Sequence, residues 1–134
     1  MTVLLDTHAA IWLATDSASL GRRSRALAQK ALADGRLAIA SISFWEIAML
    51  IAKGRLRALS PPEELRVRLL DTGVSEVPLT GDVALLAVAL HGLHSDPADR
   101  FIAASAITHE ATLMTADTNL LGWKHKLKRH DARE

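Results

Sequence analysis

The segment that most constrains the fold is 3–8, VLLDTH, where a short apolar run ends at an acid. Three branched aliphatic residues are typical of a strand buried on both faces, and the residues after Asp6 are compatible with a helix. Asp6 is therefore expected at the carboxyl end of a strand. In an open parallel sheet, ligands bind at this edge, because the strand ends and the N-termini of the following helices enclose a crevice.

Strand-like and helical patterns alternate along the rest of the chain. Apolar runs typical of strands lie at 37–40, 74–78 and 111–115, and helical patterns lie at 7–14, 24–33, 41–53, 60–72, 80–90 and 97–109. This alternation predicts an α/β sandwich of Rossmann-like character, with a parallel sheet covered on both faces. No glycine-rich phosphate loop follows any strand, so nucleotide binding of that kind is not supported.

Length and composition narrow the class of protein. The 134 residues suit one domain, 1–134, with a basic tail at about 124–134, and 49% of them are hydrophobic. Cysteine is absent, which removes thiolate chemistry and disulfides. No basic-then-apolar leader and no apolar run of about 18 residues is present, so we expect a cytoplasmic protein without a membrane segment. A net charge of +1 does not by itself indicate a nucleic-acid partner.

Four acids stand where predicted strands end or where the following helices begin: Asp6, Glu46, Asp99 and Asp117. Each has a purely structural explanation, since Asp6 and Asp117 can cap helices and Ser43 with Glu46 fits a capping box. Asp96 can cap the helix that Asp99 opens. Capping is served equally well by neutral residues, however, and several carboxylates at one sheet edge repel one another unless a cation neutralises them.

Oxygen ligands without cysteine or paired histidines favour a hard ion, Mg²⁺ or Mn²⁺, over zinc. Such an ion commonly acts on phosphates, and phosphodiester hydrolysis is the chemistry that best suits these acids. A phosphatase with an aspartyl nucleophile is not favoured, because His8 stands where a second acid is needed. Two functions stay open: a metal-dependent nuclease, and a catalytically silent module that binds a partner or RNA without cleaving it.

Four segments carry a family resemblance: LLDTH, SISFWEIAMLIAKGRL, DPADRFIAASA and LMTAD. Together they resemble PIN-domain ribonucleases, and more closely the VapC-type toxins of bacterial toxin–antitoxin pairs. The resemblance runs from Val3 to about Leu121. It implies a three-layer α/β/α fold and a metal-dependent endoribonuclease that cuts RNA with a metal-activated water.

The resemblance also implies roles for individual residues. It gives four catalytic acids, of which Asp6 and Asp99 bind Mg²⁺ or Mn²⁺ and Glu46 and Asp117 support the metal, with Asp96 as a less certain ligand. Supporting hydroxyls would come from Thr7, Ser43 and Thr115. It further implies a homodimer and a cognate antitoxin that buries the active-site groove.

Other polar residues have open interpretations. His8 is either a substrate contact or a polar residue of the first helical turn. His91 and His94 are interpreted as loop residues, since no third ligand accompanies them at zinc spacing. Arg100 either contacts a phosphate or pairs with an acid. Trp45 lies off the apolar face of its helix, which suggests an interface with the antitoxin or with a second copy.

Overall fold

The computed structural model describes residues 1–57 and 60–134. In order, its elements are β1 (Val3–Leu5), α1 (Thr7–Ala14), α2 (Arg22–Ala33), β2 (Leu37–Ala40), α3 (Ser41–Ala52), α4 (Pro62–Thr72), β3 (Ser75–Val77), α5 (Gly81–Ala89), α6 (Pro97–Thr108), β4 (Thr112–Thr115), α7 (Thr118–Leu121) and β5 (Arg129–Asp131). The predicted strands and helices are all found, most with ends within two residues of those expected.

The strands form one parallel sheet in the order β3-β2-β1-β4-β5. β1 lies at its centre, with Val3 aligned to Leu37 on one side and to Thr112 on the other. The switch point of the strand order therefore falls beside β1. Ligands of open α/β sheets bind at such a switch point, so Asp6, which follows β1, has a favoured position.

Helices cover both faces of the sheet, which confirms the three-layer α/β/α prediction. Leu4 of β1 points into an apolar core formed with α5 and α6. Its neighbours Val3 and Leu5 point the opposite way, into a core formed with α1 and α2. Successive side chains of a strand face opposite sides, so a continuous apolar run is what a strand between two cores requires.

The fifth strand, β5, was not predicted. Its sequence Arg-His-Asp has no apolar residue, and all three residues are half-buried at the edge of the sheet. Pattern analysis depends on buried apolar side chains and therefore misses a polar edge strand. Ala132, the next residue, anchors β5: it is fully buried, and its amide donates a hydrogen bond to the carbonyl of Thr115.

The predicted capping box at Ser43 is wrong. The helix α3 begins at Ser41 after Ala40, and no side chain caps it. Ser43 lies inside the helix, fully buried, and accepts a hydrogen bond of 3.1 Å from the hydroxyl of Thr7. Glu46 consequently lies in the second turn of α3 rather than the first.

Within residues 1–57 and 60–134, no helix is both long and apolar enough to span a bilayer.

Candidate active site

A cleft of about 420 Å³ opens at the carboxyl edge of the sheet. Carboxylates dominate it: five acids contributed by four segments of the chain line its wall. The other lining residues are polar, aromatic or small. The full lining consists of Asp6, Thr7, His8, Trp12, Glu46, Asp96, Asp99, Ala116, Asp117 and Arg133.

Asp6 follows β1 directly and is only 6% exposed. One carboxylate oxygen accepts a hydrogen bond of 2.8 Å from the amide of Ala9, and the other accepts from the hydroxyl of Thr115. Burial raises the pKa of Asp6 above its ordinary value, and these two hydrogen bonds oppose the rise. Asp6 is therefore a helix cap and a cleft carboxylate at once, so the two interpretations do not compete.

Thr115, at the end of β4, connects two of the acids. Its buried hydroxyl donates to Asp6 and accepts a 3.0 Å hydrogen bond from the amide of Asp117. Asp117 in turn caps α7, accepting from the amide of Leu120 at 3.0 Å. The hydroxyl of Thr115 thus connects the ends of β1 and β4. It holds Asp6, through its carboxylate, close to Asp117, through its backbone amide.

Asp99, in the first turn of α6, is strongly perturbed. Burial raises its pKa to about 7, the hydrogen bond from His94 opposes this rise, and the nearby carboxylates of Asp96 and Asp117 add to it. Asp96 caps α6, since its carboxylate accepts from the amide of Asp99 at 3.1 Å. A carboxyl whose pKa is raised this far, by burial first and by neighbouring carboxylates second, is typical of a functional site.

Glu46 reaches the cleft from the second turn of α3 and is half-buried. Its negative charge contributes to the raised pKa of Asp6. The buried hydrogen bond between Thr7 and Ser43 connects α1 to α3 in this region. The three hydroxyls named in the sequence analysis therefore divide into two pairs of contacts: Thr115 with Asp6, and Thr7 with Ser43.

His94 belongs to this cleft region, although it was interpreted as a loop residue. Its Nε2 lies 2.7 Å from Oδ2 of Asp99, and its Nδ1 is buried without a hydrogen-bond partner among the described residues. His94, Asp99 and Asp117 each offer one ligand atom, and these atoms lie within 4.8 Å of one another. The spacing of His94 and Asp99, five residues apart across a helix start, matches no standard metal motif.

Arg100 pairs with no acid among the described residues, and its guanidinium is bound by the protein's own backbone. Its guanidinium donates five hydrogen bonds of 2.7–3.2 Å to backbone carbonyls at the end of α5 and in the loop that follows. One of these carbonyls belongs to His94. Arg100 therefore holds the loop that carries the histidine into the cleft.

The parallel sheet, the clustered acids and the hydroxyls that contact them define a class of protein, and comparison of the sequence with known families identifies that class. The chain belongs to the PIN domain family, whose model matches residues 3–123.

Individual relatives support this assignment. Ribonuclease VapC22 of Mycobacterium tuberculosis is 40% identical over 125 residues, which cover 92% of this chain and 93% of the relative. The VapBC2 structure from Rickettsia felis, bound to a promoter DNA fragment, aligns with a TM-score of 0.69 at 19% identity, over 97% of this chain and 98% of that one. FitAcB from Neisseria gonorrhoeae aligns at 0.64 and 21% identity, over 98% of each chain. The structural likenesses show a shared fold.

Proposed function

We propose that this protein is a divalent-metal-dependent endoribonuclease that acts as the toxin of a toxin–antitoxin pair. The observation that carries the proposal is the gathering of five carboxylates in one cleft at the switch point of the sheet. Membership of the PIN domain family and 40% identity to a protein named as a ribonuclease support the choice of substrate.

The residues of the cleft fit a divalent cation. Asp6 and Asp99 are the proposed ligands, with Glu46 and Asp117 in support and Asp96 at the rim. Burial and neighbouring carboxylates raise the pKa of Asp99, and Nδ1 of the nearby His94 has no hydrogen-bond partner among the described residues; both observations support a cation at this site. The predominance of carboxylate oxygen favours Mg²⁺ or Mn²⁺. When bound, such a cation supplies Lewis-acid chemistry, activating water and offsetting negative charge on the phosphate.

The protein's own groups prepare this site. Thr115 and the amide of Ala9 hold both oxygens of Asp6, so its carboxylate is oriented before a ligand arrives. His94 holds one oxygen of Asp99 in the same way. The cleft is open to solvent at its rim, where His8 is exposed, so an RNA strand can enter without unfolding of the chain.

Two partners are part of the proposal. The antitoxin is proposed to bury the active-site cleft and also a second groove beside α1, α3 and α4, where apolar residues that include Ile11, Ile47, Ile51 and Leu65 lie next to Arg57 and Arg68. Leu85 and Val88 of α5 are 75% and 80% exposed, and a homodimer contact would cover them. Light scattering of the protein, alone and with a co-expressed candidate antitoxin, tests the homodimer and the antitoxin complex. A monomeric mass under both conditions would contradict both proposals.

The central experiment is cleavage of end-labelled single-stranded RNA by the purified protein with Mg²⁺ or Mn²⁺. Asp6→Asn is the test variant, and Asp82→Asn, an exposed acid of α5 outside the cleft, is its matched control. We expect cutting by wild type and control, and a loss of at least about 100-fold in Asp6→Asn and on addition of EDTA.

The alternative of a silent binding module makes a different prediction for the same assay. It requires that varied RNAs remain uncut and that Mg²⁺ and Mn²⁺ leave the melting temperature unchanged. Cleavage that survives EDTA or persists in a folded Asp6→Asn protein would contradict the proposed metal-dependent reaction.

A further inference from the structure

The segment after β5 is fixed against the start of α2. The amide of Gly21 donates to the carbonyl of Ala132, and the amide of Ser24 donates to that of Glu134, both at 2.8 Å. The hydroxyl of Ser24 also lies 2.9 Å from Nε2 of His130. A Cβ at Gly21 would overlap the backbone of Arg133 and Glu134, so glycine is what allows this close approach. The backbone of Arg133 is consequently held in place on both sides.

The side chain of Arg133 lies at the rim of the acidic cleft. It is 53% exposed, and Asp131 holds the guanidinium in a two-point contact, Nε to Oδ1 at 3.0 Å and Nη2 to Oδ2 at 2.9 Å. Apart from the histidine His8, it is the one basic side chain that lines the cleft within the described part of the chain. Five carboxylates thus face a single guanidinium whose present partner is a half-buried aspartate.

The carboxylates of this cleft repel a polyanion such as RNA. Bound cations offset part of the negative charge, but the phosphates on either side of the scissile bond still approach a carboxylate-rich wall. A guanidinium presents a planar fork that matches two phosphate oxygens as well as it matches a carboxylate. Because ion pairs exposed to solvent contribute little net free energy, Arg133 can exchange Asp131 for another anion at small cost.

We propose that Arg133 binds a backbone phosphate of the RNA beside the scissile bond, and that Asp131 holds the guanidinium aligned until the RNA arrives. This inference rests on the proposed ribonuclease function. It assigns to the polar edge strand β5 a role in substrate binding: Asp131 ends that strand and Arg133 follows it, at the same sheet edge as the acids. A contact of this kind strengthens binding without reading base sequence.

The test is single-turnover cleavage of a short RNA over a range of protein concentrations, with Mg²⁺ or Mn²⁺. Arg133→Ala is expected to raise the half-saturating concentration about tenfold and to leave the maximal rate within about threefold of wild type. Arg133→Lys keeps the positive charge and loses the planar fork. Its half-saturating concentration should therefore lie between those of wild type and Arg133→Ala. The plot of log affinity against log salt concentration should become less steep by about 0.7 in Arg133→Ala, because one phosphate contact to a single strand is lost.

Lys126→Ala is the matched control. This exposed lysine lines a different cleft, beside Ala111 at the amino edge of β4, so the variant loses the same charge far from the acids. It should behave as wild type. Asp131→Asn keeps the guanidinium but loses the carboxylate that aligns it, so it should raise the half-saturating concentration by less than Arg133→Ala does. Circular dichroism and melting curves establish that each variant is folded.

The outcomes separate the two proposals. Cleavage by the wild type with identical saturation curves for Arg133→Ala and Lys126→Ala would overturn the role of Arg133 alone. A loss of maximal rate at unchanged half-saturation would also overturn it, because binding would then not be what Arg133 supplies. Absence of cleavage by the wild type with either metal would overturn the ribonuclease proposal and this inference together.

Discussion

At the scale of single residues, the acids of the cleft have two roles at once. Asp6, Asp96 and Asp117 each accept a hydrogen bond from a helix N-terminal amide, as capping residues do, and each lines the cleft. Both interpretations of these residues follow from the same fact, that a strand or loop ends there and a helix begins. Sequence reasoning therefore located the acids without deciding what they do.

His94 and Arg133 were missed for a physical reason. Each reaches the cleft region through a polar segment that has no apolar period, namely the loop after α5 and the residues after β5. Their positions depend on hydrogen bonds that no sequence pattern contains, from Arg100 to the carbonyl of His94 and from Ser24 to the carbonyl of Glu134, next to Arg133. A single sequence carries no signal for such contacts.

Asp99 leads to a prediction about pH. Its pKa is about 7 in the fold against an ordinary value of 3.8, so between these values the folded protein binds more protons than the unfolded chain. Stability without metal should therefore fall as pH rises through this window. Asp99→Asn removes this titration. At pH 8 in EDTA, the melting temperature of this variant should therefore lie a few degrees above that of wild type, which corresponds to a gain of about 1 kcal/mol in the free energy of unfolding.

Melting curves at pH 4 and pH 8 measure this effect. The difference between Asp99→Asn and wild type should nearly vanish at pH 4, where the wild-type carboxyl is also neutral. Saturating Mg²⁺ should reverse its sign at pH 8, because only the wild type keeps the ligand. An equal difference at both pH values in EDTA would contradict the burial and charge repulsion inferred for Asp99.

At the scale of elements, helix and strand positions could be predicted wherever an apolar pattern specifies burial. The central strands and the helices packed on them follow from such patterns. The start of α3 was predicted correctly, but Ser43 was interpreted as its cap, whereas Ser43 lies inside the helix with its hydroxyl buried against Thr7. Local capping preference was outweighed by a contact with α1, which no local pattern contains.

The loop after α5 depends on a single side chain. Arg100 binds five backbone carbonyls there, so Arg100→Ala leaves them without donors and should lower stability by about 2–3 kcal/mol. Amides of residues 91–95 should exchange hydrogen faster in this variant. Arg36→Ala, which removes an exposed arginine before β2, is the control and should change stability by less than about 0.5 kcal/mol.

Denaturant unfolding and hydrogen exchange test this prediction together. Arg100→Ala with control-like stability and unchanged exchange at 91–95 would show that the loop is held by other contacts.

At the scale of the whole molecule, the parallel topology explains why distant acids meet. Every strand of the sheet runs in the same direction, so residues that follow β1, β4 and β5 arrive at one edge although more than a hundred positions separate Asp6 from Asp117 and Arg133. The helices α3 and α6 add Glu46 and Asp99 from the sides. The fold thus concentrates negative charge at one edge of the sheet, which a bound cation would offset.

The most direct test of the proposed metal centre is titration calorimetry of Mn²⁺ into metal-free protein near pH 7, for wild type and Asp99→Asn. We predict that the wild type binds Mn²⁺ and releases protons, seen as a heat that depends on the buffer, because the metal displaces the proton of Asp99. Asp99→Asn should bind at least about tenfold more weakly and release fewer protons. Equal affinity in the two proteins, or no binding by the wild type, would contradict the claim that these carboxylates form a metal centre.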